Sequence, residues 1–164
     1  MSSTKMKQAS KTPLEAPRFE NGEAILIAGF REHFTSATMN KILELWLRLA
    51  PHIGSVPGQV GRVAYGLCFN ALSPSGTDYL AGVEVSDFSR LPSEFSRVTI
   101  PAQRYAVFSH RDHVSKLHQT LDAIDKWVPS SVLKVAPAVA GAPDFFERYG
   151  ERFDPRTGMG DIEV

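Results

Sequence analysis

A short apolar run, a stretch with apolar residues three and four apart, and two more short runs follow one another twice along this chain. That order constrains the fold more than any single motif. In the first half, Glu23 to Phe30 is apolar, bounded by Asn21 and Gly22, and too short for a typical helix, so it predicts a strand. Met39, Ile42, Leu43, Trp46, Leu49 and Ala50 then recur at helical spacing with Lys41, Glu44 and Arg48 opposite them. Ser36 or Thr38 is placed to cap this helix, and Pro51 to end it. Val63 to Asn70 and Tyr79 to Val85 flank the turn residues Ser73-Pro74-Ser75-Gly76 and predict a hairpin, with Tyr65, Leu67 and Phe69 on one face and Gly66 and Cys68 on the other.

The second half opens with Arg97 to His110, rich in β-branched and aromatic residues on both sides of Pro101, which predicts a long strand with a bend. Val114, Leu117, Leu121, Ile124 and Trp127 outline a helix, capped by Asp112 or Ser115 and ended by Pro129. After a Pro-, Ala- and Val-rich loop come a strand around Phe145 to Tyr149, a turn region with Pro155 and Gly158, and a last run from Asp161 to Val164. Each half therefore reads strand-helix-strand-strand. Two such units side by side predict an α+β fold: an antiparallel sheet with both helices on one face and a ligand cleft near a pseudo-twofold axis. Tyr105 to Phe108, just past the midpoint, is expected to pair near that axis. Residues 1–22 are polar with little periodicity and are expected to form a disordered tail, leaving 23–164 as one domain.

Composition excludes several classes of function. Lys plus Arg total 18, as do Asp plus Glu, so no overall field favours nucleic acid or an anionic membrane. The single cysteine, Cys68, cannot form an internal disulfide, the N-terminus lacks the apolar core of a secretory signal, and no apolar run approaches the ~20 residues of a membrane span. A cytoplasmic location is expected. His110, Asp112, His113 and His118 straddle a strand end and a helix start without a known zinc spacing, so a turn with a helix cap is the reading adopted. Cys68 lacks a thiolate-stabilising neighbour, and Gly54, Gly58 and Gly61 lack the Lys-Ser/Thr ending of a phosphate loop. No metal or cofactor is expected.

The Tyr65–Phe69 and Tyr79–Val85 strands, the Val98–Phe108 segment, the Leu117–Trp127 helix and the Phe146–Tyr149 strand, in this order, resemble the GyrI-like small-molecule-binding family, the effector-binding module of AraC-type and MerR-type multidrug regulators. The resemblance covers about residues 23 to 164. It implies two strand-helix-strand-strand units about a pseudo-twofold axis, and an aromatic cleft for hydrophobic, often cationic, compounds around a buried glutamate. That glutamate is Glu147 on this resemblance, with Glu84 and Glu163 also on predicted strands. Candidate walls are Tyr65, Tyr79, Phe108, Trp127 and Tyr149, with Tyr105 behind them and Trp46 as core. An unpaired buried carboxylate costs several kcal/mol, part of which a cationic ligand recovers, and each aromatic face adds roughly 0.5–2 kcal/mol of cation–π attraction.

The resulting expectation is a binding module that senses or sequesters such compounds, with no direct DNA binding, because the first ~20 residues are too short and polar for a helix-turn-helix. Two alternatives follow from the resemblance. One is a glutamate-dependent hydrolase of cyclopropane-bearing compounds, and the other is a protein that inhibits DNA gyrase.

Overall fold

A computed structural model describes residues 14–71 and 73–164. The first unit consists of β2 (Ile25–Phe34), α1 (Ile42–Leu49) between single 3-10 turns, β3 (Gln59–Phe69) and β4 (Thr77–Val85). The second consists of β7 (Ser109–His110), α2 (Leu117–Ser130), β8 (Phe145–Tyr149) and β9 (Ile162–Glu163). Three further strands are β1 (Arg18–Gly22), β5 (Ser96–Ile100) and β6 (Gln103–Val107). The seven-stranded sheet has the order β5-β2-β4-β3-β8-β9-β7, with antiparallel pairs throughout. Read outward from the β3–β8 seam, each unit presents its second, third and first strand. The pseudo-twofold axis therefore passes through that seam.

The predicted long strand at residues 97–110 is three short strands. Pro101 cannot donate to a ladder, and there the chain leaves the sheet. β5 lies at one edge of the sheet and β7 at the other, while β6 pairs outside it with β1 in a two-stranded ribbon. Tyr105 and its neighbours thus pair with β1 and not within the sheet at the pseudo-twofold axis, contrary to expectation, and Tyr105 instead lies over Phe146 of β8 from the face away from the helices. The expected tail also ends earlier. Arg18 to Gly22 is a strand, paired residue for residue with Val107 to Gln103, and the part of the tail at residues 1–13 lies outside the described residues. A polar strand escapes a search for apolar runs, because its stability comes from a ladder and from ion pairs. Glu163 accepts from Arg148 (2.5 Å) and Arg18 (2.7 Å), and Arg18 also pairs with Glu20 (2.8 Å).

Register sorts the core into two layers. Leu45 and Leu49 of α1 pack on Ala28, Phe30, Cys68, Tyr79 and Ala81, while Leu117 and Leu121 of α2 meet Tyr149 and Ile162. The pairings Cys68↔Tyr79, Gly66↔Glu147 and Tyr149↔Ile162 put all of these on one face, so both helices cover the same side. The opposite face carries Ile27, Tyr65, Leu67, Phe69, Leu80, Val98 and Ile100, against which Tyr105 and Phe146 pack. The helix starts differ from the sequence reading. Neither Ser36 nor Thr38 caps α1, and His113, not Asp112 or Ser115, accepts the Ser115 amide ahead of α2. Leu43, expected on the buried stripe, is 65% exposed. Among the described residues no helix is long and apolar enough to cross a membrane.

A chain beginning at Glu23 would lose β1 and leave Arg148 and Glu163 without Arg18 and Glu20. It is expected to melt at a lower temperature than the full chain in thermal unfolding followed by circular dichroism; an unchanged melting temperature would return residues 18–22 to the tail.

Candidate functional site

The site is built on the seam. Gly66 of β3 stands directly opposite Glu147 of β8, and Tyr149 follows Glu147 on the same face of its strand. A Cβ at Gly66 would fall 2.6 Å from Glu147 Oε1 and inside contact distance of the Tyr79 hydroxyl. Glycine is what lets a carboxylate and two phenols share this space. The Tyr79 hydroxyl donates to Glu147 Oε1 at 2.7 Å and the Tyr149 hydroxyl to the same oxygen at 2.9 Å. The indole N–H of Trp46 donates to the Tyr79 hydroxyl at 3.2 Å, and its ring meets Tyr149 edge-on with centroids 5.3 Å apart. Trp46 packs against the core beneath each helix and so spans the gap between them.

Glu147 is only 6% exposed, yet its two oxygens differ. Oε1 takes both phenol hydrogens, while Oε2 accepts no hydrogen bond from the described residues. Among those residues no sealed side-chain N or O atom lacks a partner. Oε2 therefore keeps a small contact with solvent. Burial pushes the Glu147 carboxyl above the usual glutamate range, and the two phenol donors pull it part of the way back. Burial, then the nearby Glu147 charge, raises both tyrosines far enough that they stay protonated donors. Cys68, on the same face, is also pushed well up, first by burial and then by Glu147 and Asp144, so it is an inert thiol.

Of the six candidate site residues, Glu147, Tyr149 and Tyr79 come together. Tyr65 does not: it lies on the opposite face with Phe146, 6.1 Å between centroids, because it is out of phase with Gly66 by one residue. Tyr105 is on that face too. Phe108 and Trp127 share the helix-covered side but form a separate edge-on pair at 5.6 Å, beside the β7 edge. Glu84 pairs in register with Ile27, and Glu163 is bound to two arginines, so both belong to the face away from the helices. Trp46 was missed as a site residue. Its helical spacing marks it as apolar, and only its one-residue step from Leu45, about 100° round the helix, shows that it faces the gap and not the sheet. His110 is buried, with one ring nitrogen on the Thr120 hydroxyl (2.7 Å) and the other on the His113 carbonyl (2.9 Å).

Residues 15–164 match the model of the GyrI-like small molecule binding domain. The chain belongs to the GyrI-like family. This GyrI-like domain is 34% identical over 124 residues to the transcriptional regulator BrlR of Pseudomonas aeruginosa, a match covering 74% of the chain but only 44% of that protein. Among solved structures it is similar to SAV2435 bound to tetraphenylphosphonium, with a TM-score of 0.68 at 19% identity over 91% of each chain. It is also similar to a transcription regulation protein from Staphylococcus aureus (TM-score 0.64, 19% identity, 90% of this chain and 94% of that one). At these identities the structural matches establish the shared fold.

Two outcomes follow for the GyrI-like domain. Gly66→Ala is expected to lose about 1–3 kcal/mol through overpacking at the seam, measured by chemical denaturation. Glu147→Gln keeps an acceptor for both phenols and removes a buried charge. Because the folded protein holds the Glu147 proton to higher pH than the unfolded chain does, wild-type stability is fully present below the ordinary glutamate range and falls as pH rises through the raised value. The variant should therefore be the more stable protein near neutral pH, by of order 1 kcal/mol, with the gain vanishing on acidification. Melting temperatures across pH check this.

Proposed function

We propose that the domain binds amphipathic organic cations bearing aromatic rings, as the ligand-sensing part of a drug- or toxin-responsive system. The observation that carries this reading is the asymmetry of Glu147. One carboxylate oxygen is held by two phenols that keep it in place, and the other takes no hydrogen bond from the described residues, on the sheet face that Trp46 and Tyr149 share. A buried carboxylate lacking a counter-charge is costly, so a cation gains by supplying one, and the rings of Trp46 and Tyr149 offer cation–π and stacking contact without demanding one ligand shape. The cation tetraphenylphosphonium, bound by the structural relative SAV2435, has this chemistry.

With Trp127→Phe the domain has Trp46 as its sole indole, and tetraphenylphosphonium is expected to change its fluorescence on binding. Glu147→Gln in that background should weaken the cation about tenfold or more, equivalent to about 1.4 kcal/mol, while a neutral analogue, triphenylphosphine oxide, binds both proteins alike. Affinity for the cation should also fall on acidification, because protonating Glu147 removes its charge, and should be flat in the variant. Equal affinity of the cation for both proteins would overturn the reading.

A further inference from the structure

We infer that residues 131–143 form a strap that closes over a ligand held in the seam cleft, packing it against an apolar ridge on α1. This rests on the proposed binding role of that cleft.

The ridge is visible in α1. From Leu45 and Leu49 on the sheet, its apolar surface continues past Trp46 on the cleft side to Leu43 and Leu47, which are 65% and 63% exposed, with exposed Met39 one turn before Leu43. The charged side of the helix faces the other way: Arg48 lies over Phe30 and reaches Glu32 of β2, on the flank remote from β8. An isolated exposed leucine is ordinary, but a ridge continuous with an aromatic cleft extends that cleft.

The strap lies at the right end of the molecule. Phe34, Phe69 and Phe145 are at one end of the sheet, as the pairings Phe34↔Thr77, Phe69↔Asp78 and Cys68↔Phe145 require. α1 starts at that end. α2 starts at the other, beside Ile162 and Tyr149, and runs back, so residues 131–143 leave its C-terminus and enter β8 at the end of the sheet where α1 starts. Their far end is fixed: the Asp144 amide donates to the Cys68 carbonyl at 2.8 Å, and its carboxylate accepts from the Ala71 amide at 2.9 Å. Ser73 and Pro74, just beyond Ala71, line one hollow with Met39 of the ridge.

Between its anchors the strap is exposed except at Leu133, and three of its valines are uncovered. No hydrogen bond among the described residues joins 132–141 to anything outside the strap and its Ser131 root. Val132 and Val135 are 98% and 79% exposed, and Val139 is about half exposed. Gly141, with φ +78° and open space around it, supplies a hinge next to the fixed end. Exposed valines on the strap and exposed leucines on the helix that starts at the same end of the sheet both lack cover, and a hydrophobic ligand between them would bury both.

Limited trypsin digestion followed by mass spectrometry tests this, with Lys134 in the strap as the reporter and Arg156, in the turn at the other end of the sheet, as internal control. The free domain should be cut after Lys134. Tetraphenylphosphonium, at a concentration that saturates the fluorescence change, should slow that cut severalfold and leave the cut after Arg156 unchanged. The triple variant Val132→Ser, Val135→Ser, Val139→Ser should bind the cation severalfold more weakly while its free form melts as wild type does. Binding without protection at Lys134, equal protection at both sites, or no cut after Lys134 in the free domain would each overturn the strap. Absence of any fluorescence response to the cation would overturn the binding role, and the strap with it.

Discussion

The placement of a carboxylate opposite a glycine at the β3–β8 seam is the constraint on which the rest of the site depends. Antiparallel pairing puts the side chains of directly opposed residues close together on one face, and two ordinary side chains would fill that space. With Gly66 opposite, Glu147 instead has room for two phenol hydroxyls on one oxygen. The seam is also where the pseudo-twofold axis falls, and Trp46 packs against the core under both helices there. One residue without a side chain thus links the topology of the sheet to the chemistry of the cleft.

The two faces of the sheet divide the work. The face away from the helices is closed by the belt from β5 through β6 to β7, by Tyr105 on Phe146, and by the arginine and glutamate side chains that attach β1. Glu163 shows the contrast with Glu147. Burial would push it up, but hydrogen bonds from Arg148 and Arg18 outweigh burial and hold it below the usual range, so it is a satisfied anion. Glu147 has only neutral donors and is pushed up. The same residue type serves as a structural ion pair on one side and as an open charge on the other, and the difference lies in the partners.

Much of this was legible in the sequence, for reasons that can be stated. The repeated order of periodicities specified the units, and alternation within β3 correctly set Tyr65, Leu67 and Phe69 against Gly66 and Cys68. Alternation within one strand says nothing about its phase relative to another, however. From the sequence, Tyr65 therefore belongs as readily to the wall around Glu147 as to the opposite face, where it lies. Aromatic content marks Phe108 and Trp127 for burial but not which cluster each ring joins, and they form a pair of their own. β1 was invisible because its sequence, Arg-Phe-Glu-Asn-Gly, holds its place through a ladder and long-range ion pairs. Trp46 read as core because helical spacing alone does not separate a residue facing the sheet from one facing the gap beside it.

The central claim is that the open oxygen of Glu147 is the charge a cationic ligand meets. A crystal of the domain grown with tetraphenylarsonium, whose arsenic scatters anomalously, would locate the cationic centre without reliance on ligand shape. The account predicts an anomalous peak on the helix-covered face at the β3–β8 seam, beside Glu147 Oε2 and between Trp46 and Tyr149. A peak beside Phe108 and Trp127, or on the face of Tyr65 and Phe146, would contradict it.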